Sequence, residues 1–242
     1  MTPANRPAAA GFQDEITGFW QTRGGEYDSQ PRHGILDPRE REVWLTALRE
    51  LLPAPPAQVL DVGTGTGFLA LLIAGLGYRV TGVDLSDGMM ATARAAADGL
   101  DPAPVFGLGD AIDPPFADAT FDVVTNRHVL WTLLDPARAF ARWHALLRPG
   151  GRLVAIDSLW EQERQTSPEP PRAHTGYSEQ VTAALPLRNL TSVDPVLGIA
   201  RAAGFSGARI VMLEDVTRIE REVLPPGTRE FGDRYAVVGT KA

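Results

Sequence analysis

Val59-Leu60-Asp61-Val62-Gly63-Thr64-Gly65-Thr66-Gly67-Phe68-Leu69-Ala70 runs from an apolar strand through three alternate glycines into an apolar helix. Glycines at a strand end let the backbone turn tightly and approach a ligand with no Cβ in the way. Strand, glycine loop and helix in that order open a βαβ unit. A dinucleotide-binding loop spaces its glycines G-x-G-x-x-G and sets a pyrophosphate on the helix N-terminus. Here the spacing is G-x-G-x-G, Phe68 stands where that pattern wants glycine, and Asp61 lies just ahead. No Gly-Lys-Ser/Thr follows, which excludes a P-loop.

The pattern continues outward from this loop. Tyr78 to Val83 reads as a strand ended by Asp84, Gly88 to Ala97 as a helix, and Pro104 to Gly107 as a weak strand. Thr120 to Thr125 is a strong strand, Pro136 to Leu147 a helix, and Arg152 to Ile156 a strand. Alternating strands and helices predict parallel βαβ units in a doubly wound α/β sheet. Upstream, Pro53-Ala54-Pro55-Pro56 marks a boundary. Before it, residues 12–56 read as a helical cap, with Asp37 as N-cap, Pro38 at the first helical position and Trp44, Leu45, Leu48 and Leu51 at helical spacing. Residues 1–11 read as a disordered tail, and 57–242 as the main domain. Residues 158–190 break the alternation and read as a lid-like insertion after the fifth strand. Pro195 to Ala203 resumes as a helix, and Ala208 to Leu213 and Tyr235 to Lys241 as strands.

An acid at the end of the first strand repels a phosphate and suits an amino group. S-adenosylmethionine, with an ammonium, a carboxylate and a sulfonium but no pyrophosphate, meets that requirement at Asp61, Gly63, Thr64, Gly65 and Gly67. Asp84, at the end of the second strand, is placed to accept both ribose hydroxyls; its competing role is as N-cap of the next helix, which Ser86 also fits. Asp110, in Gly109-Asp110-Ala111, is placed for the adenine amino group, with Ala111 giving a backbone contact.

These residues resemble the class I, Rossmann-like S-adenosylmethionine-dependent methyltransferases, in the branch acting on small molecules. The matching blocks are VLDVGTGTGFLA (59–70), VTGVDLSDGMM (80–90), GDA (109–111), FDVVTNRHVLWTL (121–133) and LLRPGGRLVAID (146–157). The resemblance implies a seven-stranded sheet of order 3-2-1-4-5-7-6 with the last strand antiparallel. It also implies cofactor contacts at Leu85 and Met89, and closure of Tyr27 over the methionyl end.

In such a sheet the ligand crevice lies outside the strand C-termini at the switch point, where strand 4 delivers Asn126-Arg127-His128. Arg127 is expected to hold the cofactor carboxylate or an anionic substrate. His128, with an unperturbed pKa near 6.5, is the candidate base. Trp20, His33, Trp131 and Tyr177 are candidate acceptor-binding residues. No metal-ligand pattern is present. The expected reaction is in-line methyl transfer to N, O, S or C of a small metabolite. The alternatives are transfer or cyclisation of the aminocarboxypropyl arm, and a non-catalytic cofactor-binding subunit.

Composition narrows the setting. With 23 basic against 30 acidic residues and a net charge of −7, a nucleic-acid partner is not expected. The chain has no cysteine, which excludes disulfides, thiolate metal sites and a thiol nucleophile. No stretch has the length of a spanning helix. A cytoplasmic monomer or homodimer is expected.

Overall fold

The computed structural model describes residues 6–159, 176–225 and 232–242. Seven strands form one sheet in the order β3-β2-β1-β4-β5-β7-β6. They are β1 (Gln58–Val62), β2 (Arg79–Asp84), β3 (Val105–Leu108), β4 (Phe121–Arg127), β5 (Leu147–Ser158), β6 (Phe205–Met212) and β7 (Arg234–Lys241). β1 to β5 run parallel, and β7 is antiparallel to both β5 and β6. This is the order the resemblance implied.

Both faces of the sheet are covered, so the central strands β1, β4 and β5 are buried along most of their length. Val59, Val123 and Val154 face a core shared with Trp44 and Leu48 of α3 (Pro38–Leu51), Leu69 and Ile73 of α4 (Phe68–Ala74) and Val216 of α9 (Glu214–Glu222). Leu60, Val124 and Leu153 face the other core, with Phe140 and Trp143 of α6 (Pro136–Leu146) and Val196 and Ala200 of α8 (Asp194–Ala202). α5 (Asp87–Ala96) follows β2 and is capped by Ser86, whose hydroxyl accepts from Met89 N at 3.1 Å. The cap of α3 is as expected: Asp37 accepts from Arg39 N at 2.8 Å, and Glu40 reaches back to Asp37 N at 2.9 Å.

Three features depart from expectation. The first helix, α1 (Arg6–Gln21), starts five residues before Gly11 and takes in most of the predicted tail. Ala8-Ala9-Ala10 lies in it, and alanine is the best helix former. α9 was not anticipated. Within the 158–190 insertion, β5 continues to Ser158 and α7 (Glu179–Ala184) packs under α1; residues 160–175 lie outside the described residues.

The cap reaches the domain through close backbone contact. α2 (Gly24–Tyr27) sits on the first turn of α5 so tightly that a Cβ on Gly24 would lie 2.5 Å from the Gly88 carbonyl oxygen. A Cβ on Gly88 would lie 2.1 Å from the Gln21 carbonyl oxygen. Only hydrogen at both positions allows this seating. On the other side, the Thr66 hydroxyl donates to Asp28 Oδ1 at 2.5 Å, joining the cap to the glycine loop. α1 and α7 form one cover: Glu15 accepts from both the backbone N–H and the hydroxyl of Ser178, and Trp20 Nε1 donates to the Tyr177 hydroxyl at 2.7 Å.

Candidate active site

A cleft lined by Asp61, Gly63, Asp84 and Arg127 opens at the C-terminal ends of β1, β2 and β4. Gly63, Gly65 and Gly67 all have positive φ, at 63°, 56° and 86°. A Cβ on Gly63 would lie 2.3 Å from Val129 Cγ2, and one on Gly65 would lie 3.3 Å from Met89 Cε. The loop therefore stays thin on the side facing the cleft. Gly67 departs from its expected role. It is the N-cap of α4 and turns towards Ala93 and Phe106, and it does not line the cleft.

Two carboxylates meet the cleft at different depths. Asp61 is 2% exposed and accepts from the hydroxyls of Thr64 (2.8 Å) and Thr125 (2.9 Å). Burial raises its pKa to about 6, against the lowering effect of those two hydrogen bonds. Asp84 Oδ2 accepts from Gly65 N at 2.9 Å and Oδ1 from Ser86 N at 2.8 Å; burial pushes its pKa up as well. Neither carboxylate forms an ion pair among the described residues, although the Arg127 charge acts on Asp61 and lowers its pKa somewhat. A buried anion held only by hydroxyls and backbone N–H groups retains lone pairs for a cationic or polyhydroxyl ligand. With Ser86 capping α5, the Asp84 side chain is not needed as a cap. Leu85, Met89, Asp110 and Ala111 line the same cleft. Asp110 Oδ1 accepts from Ile112 N at 2.8 Å, and burial raises the Asp110 carboxyl.

These residues fit S-adenosylmethionine. A deep carboxylate lies near the glycine loop for an ammonium, a second ends β2 for a diol, and an apolar floor holding Met89 suits a flat base. Thr64, placed with the loop, also lines the cleft.

Arg127 and His128 reach the cleft wall, but their partners are protein groups. Arg127 donates to the carbonyl oxygens of Arg32 (3.0 Å) and His33 (2.5 Å), and its guanidinium lies 3.4 Å from the centre of the Phe68 ring. Burial lowers its pKa to about 10, aided by Arg234. Its carboxylate-binding role is thus replaced by anchorage of the cap turn, and Phe68, the residue that breaks the dinucleotide pattern, supplies the ring face it rests on.

The base role expected of His128 does not fit. Its Nε2 is contacted by Arg234 Nη1. A guanidinium has no lone pair and only donates, so Nε2 is the acceptor and the neutral ring carries its proton on Nδ1. Burial, then Arg234 and Arg127, hold its pKa well below 6.5. A ring in this state has no free basic nitrogen.

Trp20 and Tyr27 line the cleft. Tyr27 stacks on His33 with ring centres 4.2 Å apart and planes 6° from parallel. Trp20 meets both Tyr27 and Trp131 edge-on. Trp131 stacks on Tyr177 at 6.1 Å. His33, Trp131 and Tyr177 do not line the cleft itself; they form the layer behind Trp20 and Tyr27. Ile16 and Thr17 of α1 and Thr66 of the loop line it without having been foreseen. The sequence predicts a helix over about Phe12 to Gln21, but its spacing alone does not show that Ile16 and Thr17 face the cleft.

Comparisons agree with this geometry. A model of the methyltransferase domain family matches residues 60–155. An O-methyltransferase of Penicillium expansum is 31% identical over 211 residues, covering 86% of this chain and 68% of that protein. A demethylmenaquinone methyltransferase of Renibacterium salmoninarum is 30% identical over 184 residues, covering 75% and 72%. The solved structure of Haemonchus contortus phosphoethanolamine N-methyltransferase 2, bound to phosphomonomethylethanolamine and S-adenosylhomocysteine, superposes with a TM-score of 0.66 at 19% identity. It covers 95% of this chain and 60% of that one, a likeness of fold.

Proposed function

Because this chain belongs to the class I S-adenosylmethionine-dependent methyltransferases, we propose that it methylates a small molecule held between the Asp61–Asp84 cleft and the N-terminal cap. The observation carrying this reading is the buried carboxylate of Asp61 and the partly buried carboxylate of Asp84 around a glycine loop, neither in an ion pair among the described residues, roofed by α1 and α2. When bound, S-adenosylmethionine supplies a methyl group activated by its sulfonium. Asp61 accepts from the amino group, Asp84 from the ribose hydroxyls, and Asp110 from the adenine amino group, with Leu85 and Met89 against the base. Tyr27 and Trp20 keep water from the methyl end, and the Arg127 grip on Arg32 and His33 holds that wall in place. Fixed walls favour in-line displacement by holding the nucleophile in line.

The titrating groups constrain the acceptor. Burial and Arg127 lower His33 to about 3, and burial raises Tyr27 to about 12. His128 has its lone pair engaged. Asp61 is assigned to the ammonium. Among the described residues, none of these four serves as a base near neutral pH, in keeping with an acceptor that brings a reactive lone pair or ionises by itself. We assign the acceptor to metabolites and not to nucleic acid, in keeping with the net charge of −7. The absence of cysteine suits the cytoplasm, the compartment we infer. A monomer or homodimer fits this reading.

The test is product analysis. The protein is incubated with S-adenosylmethionine and a panel of phenols, hydroquinones, thiols and amines. Methyl transfer releases S-adenosylhomocysteine together with a methylated acceptor. Release of methylthioadenosine instead would assign transfer of the aminocarboxypropyl arm, and binding without either product would assign a non-catalytic subunit.

A pH dependence follows from Asp61. Its pKa is raised to about 6 in the ligand-free protein, whereas an ammonium partner favours the carboxylate. Cofactor affinity is therefore full above that pKa and lost as pH falls through it, by about tenfold per pH unit at the limit. Calorimetric titration with S-adenosylhomocysteine between pH 5 and 7.5 should show this slope, and Asp61→Asn should flatten it. A flat wild-type profile would remove Asp61 from the amino-group site.

A further inference from the structure

We propose that Arg234 and Glu220 are positioning residues that hold the His128 imidazole and the Arg32–His33 turn of the cap in one fixed arrangement beside the cleft. Glu220 lies in α9 and Arg234 begins β7. Neither belongs to a cofactor motif, and neither lines the cofactor cleft. The Glu220 side chain is 3% exposed and that of Arg234 0%. Burying a charge pair carries a large desolvation penalty, and apolar residues of similar volume are often as stable. Stability alone is therefore a weak reason for this pair.

The contacts give a stronger one. Arg234 Nε donates to both Glu220 oxygens, at 2.9 and 3.2 Å. That contact orients the guanidinium plane. Nη2 then donates to the Arg32 carbonyl oxygen at 2.9 Å, and Nη1 meets His128 Nε2. Glu220 Oε2 also accepts from Arg32 Nε at 3.0 Å, so the side chain and the carbonyl of one cap residue are held by the same pair. Arg32 Nη2 continues to the Gly232 carbonyl oxygen at 3.0 Å. A planar fork with fixed donor directions can serve three partners at once; a single ammonium cannot.

Two cleft walls depend on that fork. His128 sits at φ 59°, with its backbone N–H on the Ile156 carbonyl at 3.2 Å. The Arg234 contact then fixes the ring's tautomer, with the proton on Nδ1. Arg32 has φ 68°, and the residue after it, His33, stacks on Tyr27. Arg234 thereby sets the positions of the His128 wall and of the Tyr27 wall together. The arrangement is independent of the acceptor's identity.

Histidine nitrogen NMR tests this without an acceptor. The protein has four histidines, and His128 is assigned by its loss in His128→Gln. In the S-adenosylhomocysteine complex at pH 7, wild-type His128 should show a protonated Nδ1 and an unprotonated Nε2. Arg234→Met should give a mixed or reversed tautomer. A cooperative thermal melt of the variant reports that the fold is kept. If Arg234→Met does not fold, Arg234→Lys replaces it, keeping the charge against Glu220 with one nitrogen for three partners, and the same shift is expected. An unchanged tautomer in the folded variant would overturn the proposal, as would a wild-type ring protonated on Nε2. Loss of cofactor binding by the wild-type protein itself would strike the proposed function instead.

Discussion

Replacing Asp84 by alanine is expected to weaken S-adenosylhomocysteine binding by two to three orders of magnitude. The carboxylate ends β2 at the cleft and accepts from Gly65 N and Ser86 N. It thus orders the glycine loop while offering its remaining lone pairs to the ribose. A hydrogen bond to a charged group contributes about 1.5–3 kcal/mol, and two such bonds, partly replaced by water in the variant, leave a loss of about 3–4 kcal/mol. At about 1.4 kcal/mol per factor of ten, that is about a hundredfold to several hundredfold. Asp84→Asn keeps one acceptor oxygen and should lose only about tenfold to thirtyfold. Isothermal titration at pH 7.5 measures both. Alanine binding within threefold of wild type would exclude Asp84 from the ribose site.

Gly63→Ala is the variant expected to cost most in stability. The position has φ 63°, and the new Cβ would lie 2.3 Å from Val129 Cγ2 and 3.2 Å from Cγ1. Left-handed backbone costs a residue with a Cβ about 1–2 kcal/mol, and overpacking a buried contact costs about 1–3 kcal/mol more. The total of about 2–5 kcal/mol should lower Tm by roughly 5–15 °C for a domain of this size. Gly77→Ala is the control: φ is 90° there, but nothing lies within 4 Å of the added Cβ. It should show the backbone cost alone. Equal losses in the two variants, by calorimetry or thermal melts, would mean that Val129 does not pack against the loop.

Much of the fold could be read in the chain because its strongest signals are local. β1 and β4 are buried along most of their length, and Val59-Leu60 and Val123-Val124 give each an apolar centre. The strand expected just before the glycine loop is β1, Gln58–Val62. α9 was missed for the opposite reason. Its inward face carries Val216 and Ile219 but also Thr217 and Glu220, and a pattern reading assigns a glutamate to solvent. Its burial depends on Arg32 and Arg234, far away in the chain.

The same distance explains the misreading of His128. The residue was placed at the cleft correctly from its position after β4. Its chemistry is set by Arg234, 106 residues further on, and no local spacing announces that contact. Arg127 follows the same rule, since its partners Arg32 and His33 lie about a hundred positions earlier. Asp61 and Asp84 were legible because strand ends fix them, whereas the cap residues were legible only as a group of aromatics.

The glycine-to-glycine seating of α2 on α5 also bears on exchange between relatives. Residues 6–37 form a cassette that brings Ile16, Thr17, Trp20 and Tyr27 to the cleft, yet it docks on a receptor written elsewhere: Gly88, Thr66, Arg127, Glu220 and Arg234. A transplanted cassette with any side chain at its Gly24 position would meet the Gly88 carbonyl, and a host with alanine at 88 would reject the cassette of this chain at Gln21. Chimeras that move cap and receptor together should retain a closed roof, and those that move the cap alone should leave the cleft open. The unit that moves intact between relatives is therefore the cap with its five-residue dock, not the cap alone.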